Sequence, residues 1–232
     1  FTVGGGPGSI TGGTNLSFTG TGLVSVVASQ GGNANYNAAP EVTNTFNVTK
    51  ATAGVTLTNL SQTYDGTARV VTSLTSPTGL TVDMTYNGNA WAPTNAGSYT
   101  VTGTVNDVMY EGLRVGTLVV ARASQTITFP AIANQDVTNV VGLAATASSG
   151  LAVSFATNYG PGVIADLTNL SFTATGMVSV VASQGGDVNY NAAPSVTNTF
   201  RVGDAILAIL GTNGVVITNY EAVSTIKGTD FG

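Results

Sequence analysis

This chain carries eleven acidic and six basic side chains, no histidine and no cysteine, and those counts bound the chemistry open to it. Nucleophile pairs of the Ser–His or Cys–His kind are excluded within it, as are zinc sites built on imidazole or thiolate. Glycoside hydrolysis needs two carboxyl groups flanking one bond. Here the acids are scattered one to a loop, and no pair is marked out by spacing. Asp107 and Glu111, beside Asn106, are the best placed to hold Ca²⁺ at a module junction. Ca²⁺ takes six to eight oxygens. No Asp-x-Asp run occurs, so a solvated loop is the better reading of that stretch.

Recognition chemistry is better represented. Tyr64-Asp65-Gly66 sets a carboxylate beside an aromatic ring. The same tripeptide is first of all a turn, in which Asp caps nearby N–H groups and Gly takes positive φ. Trp91, the single tryptophan, and Tyr36, Tyr86, Tyr110 and Tyr190 offer rings that stack on sugars. In small sandwiches such aromatics usually serve packing. Trp91, Tyr64 and Asp65 are therefore the candidate ligand contacts, and no catalytic, cofactor-binding or metal-binding residue is assigned. Asn15, Asn47, Asn59 and Asn169 lie in Asn-x-Ser/Thr sequons. A Lys–Asn isopeptide staple would need a buried lysine, and Lys50 and Lys227 both fall at expected module boundaries.

The elements that must hold these residues are strands. Only 7% of residues are charged, 30 are glycine, and Thr, Ser, Asn, Val and Ala dominate the rest, so β-branched residues alternate with turn formers. A hydrophobic share of 43% and a mean hydropathy of +0.28 exclude a chain kept open by charge. The net charge is −5, the pI is near 4.3 and the basic residues never cluster, which excludes nucleic acid as a partner. No run approaches the roughly 18 apolar residues of a spanning helix. The acidic, Lys-poor, Thr/Asn/Gly-rich make-up matches secreted and cell-surface β-repeat proteins, and any signal or anchor is expected outside these 232 residues.

One stretch organises the chain. Asn15 to Val48 returns almost letter for letter at Asn169 to Val202, and the offset of 154 residues holds without a gap from Phe1/Phe155 onwards, with about 34 of 48 positions identical. Within residues 1–48, Leu16/Phe18, Val24/Val26/Ala28 and Val42/Asn44/Phe46/Val48 form three period-2 runs. A second unit, 49–121, shows alternating faces at Val55/Leu57, Val82/Met84/Tyr86, Tyr99/Val101/Val105 and Leu118/Val120. These are separated by Asp65-Gly66, Ser76-Pro77, Asn87-Gly88, Pro93 to Gly97 and Asn106-Asp107. A third, 122–202, opens at Gln125 to Pro130, continues through Leu143 to Ala147 and Leu151/Val153/Phe155, and then enters the repeat. The tail, 203–232, has an apolar run at 205–210 and a β-branched run at 215–217, expected as two short strands.

Residues 55–107, with Tyr64-Asp65-Gly66 and Asn95-Ala96-Gly97-Ser98-Tyr99, resemble the YDG-type domains of large bacterial surface proteins. Residues 123–202, from QTITFPAI to GDVNYNAAPSVTNTF, resemble the MBG or bacterial Ig-like modules that alternate with them. The tail's AILGTNGVVI is similar to the start of the Hydin-like module of choice-of-anchor proteins. These resemblances imply an extracellular, cell-anchored, multi-domain protein and bring no catalytic residues.

The expected fold is all-β, with tandem small Ig-like sandwiches and incomplete modules at both ends. Residues 1–48 read as the back half of a module, 49–121 as a YDG-type unit, 122–202 as a complete MBG/Ig-like module, and 203–232 as the first strands of another. A β-grasp arrangement of the second unit would need a helix that the sequence does not signal. Two functions stand: a non-enzymatic structural segment of a fibre, stalk or sheath, or an adhesin module binding a glycan or protein. The partners are neighbouring modules. The end modules are completed either by flanking sequence of a longer chain or by β-strand complementation from a neighbouring subunit.

Overall fold

Alternation of Val, Thr and Ser along most of the chain leaves one face apolar and one wet, which a strand can satisfy and a helix cannot. The computed structural model describes residues 1–204 and, among them, contains strands, turns and no helix. The strands expected at 205–210 and 215–217 lie outside the described residues. Among the described residues no helix is long and apolar enough to cross a membrane. The protein is all-β, a series of small Ig-like β-sandwich modules. Two compact units are distinguished, Phe1–Ala121 and a second beginning at Arg122.

In the first repeat copy the strands are β1 (Thr2–Gly5), β2 (Gly8–Thr11), β3 (Asn15–Phe18), β4 (Gly22–Gln30) and β5 (Ala39–Val48). The three runs read from the sequence are β3, β4 and β5; β1 and β2 are additional. β4 lies between β1 and β5 in an antiparallel sheet, and β2 pairs with β3 in a two-stranded one. Val24, the third residue of β4, is fully buried.

The middle stretch contains β6 (Ala51–Thr52), β7 (Gly54–Thr58), β8 (Ser61–Thr63), β9 (Thr72–Ser76), β10 (Val82–Tyr86), β11 (Gly97–Val105), β12 (Tyr110–Glu111) and β13 (Leu113–Ala121). One sheet has the order β10-β11-β13-β8, with β8 parallel to β13, and β7 pairs with β9 in a second. Tyr86, Val101, Leu118 and Val120, all on faces picked out by alternation, form the core with Val71. Leu57 and Leu60 pack against it from the β7 side. Burying side chains of this size contributes about 1.5–3 kcal/mol each.

The second unit has β14 (Ile127–Thr128), β15 (Gln135–Asp136), β16 (Val141–Gly142), β17 (Thr146–Ala147), β18 (Ser154–Tyr159), β19 (Gly162–Ala165), β20 (Asn169–Phe172), β21 (Gly176–Ser183) and β22 (Val196–Gly203). Its main sheets are β15-β22-β21-β18 and β16-β20-β19, with β14 paired to β17. β18 to β22 repeat β1 to β5 in order and register. Leu170, Phe172, Val178, Val180, Phe200 and Val202 form a core closed by Ile127, Phe129 and Leu143.

Candidate functional site

β8 hands the chain to the Tyr64–Arg69 loop, where Tyr64 N–H donates to the Ala121 carbonyl at 2.9 Å. The Asp65 carboxylate accepts from Thr67 N–H at 2.9 Å and from the Thr67 hydroxyl at 2.7 Å, and it pairs with the Arg69 guanidinium. Those two Thr67 hydrogen bonds, with Arg69 adding charge, hold its carboxyl below the usual range. Gly66 takes φ +84°, as an Asp-Gly turn requires. Arg69 also donates to the Thr63 carbonyl at 3.2 Å, which closes the loop on its own stem.

A backbone bond, Arg69 N–H to the Pro93 carbonyl at 2.8 Å, ties this loop to the stretch carrying Trp91. Tyr99 fastens the far side of that stretch by donating its hydroxyl to the Asn95 carbonyl at 2.9 Å. The three candidate ligand contacts thus sit on two connected loops, in different situations. Trp91 is 84% exposed. Tyr64 is half-buried and packs against the core of its sandwich. Asp65 has its carboxylate engaged by Thr67 and Arg69, so the chemistry these loops display outward is an indole ring.

The other aromatics divide similarly. Tyr86 is buried, and its hydroxyl accepts Val71 N–H at 2.9 Å, a packing role. Tyr110 and Tyr190 are half-buried, and Tyr36 is 75% exposed. Asp107 accepts from Met109 and Tyr110 N–H at 2.7 and 3.0 Å, while its carbonyl takes the Lys50 ammonium at 2.6 Å. Among the described residues no three acidic side chains come together in a way that could hold a metal ion.

A second surface follows from comparing the repeat copies. Phe18 stands edge-on to Phe46 at 6.0 Å, and their equivalents Phe172 and Phe200 stand edge-on at 5.9 Å. Phe172 and Phe200 are 9% and 3% exposed, whereas Phe18 and Phe46 are 39% and 37% exposed. Residues 123–153 make that difference. Phe129 packs on Phe155 at 5.3 Å, β15 pairs in parallel with Val202 and Gly203, and β16 pairs with Leu170 and Asn169. Gln125, 3% exposed, donates to the Asn191 carbonyl at 2.7 Å and to the Gln184 side chain, and accepts from the Ser149 hydroxyl. The sequence reading did not single out the Phe18/Phe46 pair, although the alignment with Phe172/Phe200 held the signal.

Residues 53–124 match the family model described as MBG domain. That stretch is the middle unit, the one whose Tyr-Asp-Gly motif resembles the YDG type. No curated protein matches. Among solved structures, the crystal structure of Drosophila N-cadherin EC1-4 is similar at a TM-score of 0.35 and 11% identity. That alignment covers 87% of this chain and 64% of the cadherin chain, so the protein spans less than two thirds of that structure's length.

Proposed function

We propose that this chain is a non-enzymatic structural segment of an extracellular fibre, stalk or sheath made of repeated β-sandwich modules. The observation that carries the proposal is the confinement of strand pairing. Among the described residues strands β1–β5 pair only among themselves, as do β6–β13 and β14–β22, and adjacent stretches are joined by the few residues between Val48 and Ala51 and between Ala121 and Ile127. Sandwiches with their own strand pairing and short links let a protein lengthen by adding modules. The division into 1–48, 49–121, 122–202 and 203–232, the YDG-type reading of the second part and the Hydin-like reading of the fourth belong to this proposal. The MBG match supports a setting among surface repeat proteins.

An antibody to this chain, applied to intact and to lysed cells of its source, tests it. Labelling of extended material on intact cells is expected, with loss on proteinase K treatment. Labelling that appears only after lysis sinks the proposal.

One observation favours an adhesive role beside the structural one, namely the exposure of Trp91 on a fastened loop. Exposed indoles stack on sugars and anchor protein contacts. Glycan-array binding lost in the Trp91→Ala variant supports it, and a null array leaves the spacer role alone.

A further inference from the structure

We infer that the outer face of the β16-β20-β19 sheet in the second repeat copy, marked by Val140, Val163 and Leu167, is where a second copy of this chain docks, like face against like face. The inference names a partner for the modular structural reading above and rests on that reading for its setting alone. Register defines the face. Leu170 and Phe172 belong to the core, so Ser171 between them points outward, and its antiparallel partner Val163 points outward beside it. Val140 precedes Val141, the partner of Leu170, and so continues the row on the other side of Ser171. Val163 is 49% exposed, Val140 65%, and Leu167, at the tip of the β19–β20 hairpin, 84%.

Comparison of the two copies shows that this apolar surface is particular to the second. At the 154-residue offset Val163 stands where the first copy has Ser9, and Leu167 where it has Gly13. Both changes put apolar side chains into water. Leu167 does so at φ +67°, a left-handed backbone that Gly13 adopts at +76° without strain. Strain of this kind collects at contact sites, where a partner makes use of the residue it displays. Flanking chain does not cover the face. In the second copy residues 122–153 precede it and leave it open, and in the first copy residues 49–121 follow it and leave Ser9, Thr11, Gly13 and Ser17 exposed.

Charge identifies the occupant. The chain carries a net −5, so two copies repel each other wherever acidic groups meet. β16, β19 and β20 contain no charged residue, whereas β15 and β22 of the other sheet carry Asp136 and Arg201. Two copies can therefore close on this face without desolvating a charge on any of its strands. In a two-fold contact residue i of one copy meets j of the other and j meets i, so each knob needs a recess on the same face. Gly142, exposed and paired with Asn169, has nothing within 4 Å of a would-be Cβ, and this gap is the recess for the Leu167 of the other copy.

Sedimentation equilibrium of the whole chain over a wide concentration range tests the inference. A monomer–dimer equilibrium is expected. Val163→Ser combined with Leu167→Gly restores the first copy's residues, and it should weaken the dimer on the order of tenfold or more while leaving the fold no less stable to denaturant. A merely structural role would move both readouts together. Val140→Lys, at an exposed position, should weaken the dimer as well, because it places like charges on both halves of the contact. Arg201→Asn, the first copy's residue on the other sheet, should leave the dimer unchanged. A chain that stays monomeric throughout, a dimer as tight in the double variant, or one weakened equally by Arg201→Asn overturns the inference. None of these outcomes bears on the cell-surface labelling, so the two readings fail separately.

Discussion

Phe46 and Phe200 occupy the same place in the two repeat copies, and each is edge-on to its partner ring, at 6.0 Å from Phe18 and 5.9 Å from Phe172. One is 37% exposed and the other 3%. Residue, ring contact and strand register are shared, so the difference lies in what covers them. Phe200→Ala therefore empties a closed core and is expected to destabilise its sandwich by about 3–5 kcal/mol. Phe46→Ala, on a face already wet, should cost less than about 2 kcal/mol. Hydrogen exchange of the β21–β22 and β4–β5 amides reads each copy separately, which a single melting curve of a multi-unit chain does not. Equal losses would show that residues 123–153 add nothing to the second core.

The tight turns between β2 and β3 and between β19 and β20 make the same bend with different residues. Gly12 and Gly13 take φ +62° and +76°, while Asp166 and Leu167 take +49° and +67°. Left-handed backbone costs an L-residue about 1–2 kcal/mol and costs glycine nothing. Leu167 is 84% exposed and gains no packing in return. Leu167→Gly, which restores the first copy's solution, should stabilise the second sandwich by about 1 kcal/mol after the entropy glycine adds to the unfolded chain. A denaturant midpoint that moves down on this change would refute the strain.

The strands β4, β5, β10 and β11 and the core positions Val101, Leu118 and Val120 were legible because alternation is local. What was not legible depends on distant chain. Ser61–Thr63 is polar and three residues long, and it becomes a strand only because Val119–Ala121 lies beside it in parallel. The two-residue strands β15 and β16 likewise exist only against β22 and β20. At the candidate site the Asp65-Gly66 turn follows from residue type. The exposure of Trp91 does not, since an aromatic in a sandwich can close a core or stand on a loop. Phe18 is the clearest case: its neighbours in sequence are those of Phe172, so no local reading distinguishes a covered ring from an open one.

Asp65 ties the 63–69 loop through its ionised form, and this makes the loop pH-sensitive in a defined direction. Its pKa is lowered on folding, by the Thr67 hydrogen bonds first and Arg69 after them. A carboxyl lowered in the folded state contributes stability that is fully present above its unfolded pKa of about 3.9 and is lost as pH falls through the folded value. Opening of the loop, followed by proteolysis or by Trp91 fluorescence, should therefore increase below about pH 4 and stay flat above pH 5. Asp65→Asn should open the loop at all pH values and remove its acid dependence. A loop that opens on raising the pH would contradict the hydrogen-bond assignment.

Gly6 and Gly160 stand at the bend that brings β1 round into β2 and β18 into β19, with φ +87° and +91°. A Cβ at Gly160 would meet the Met177 carbonyl oxygen at 1.9 Å, and one at Gly6 would meet the Leu23 carbonyl oxygen at 1.9 Å. Backbone of the central strand cannot withdraw as a flexible side chain can, so the clash adds to the left-handed strain. Gly160→Ala should destabilise the second sandwich by more than about 2 kcal/mol, and Gly6→Ala the first copy's strands by a comparable amount. Gly185 has nothing within 4 Å of its would-be Cβ and no positive φ, so Gly185→Ala should stay within about 0.5 kcal/mol. Chemical denaturation of the three variants, with exchange at β21 and β4 as the local readout, decides it. A Gly160→Ala protein as stable as Gly185→Ala would mean that the bend relaxes, and that the glycine shared by the two copies is not required by backbone contact.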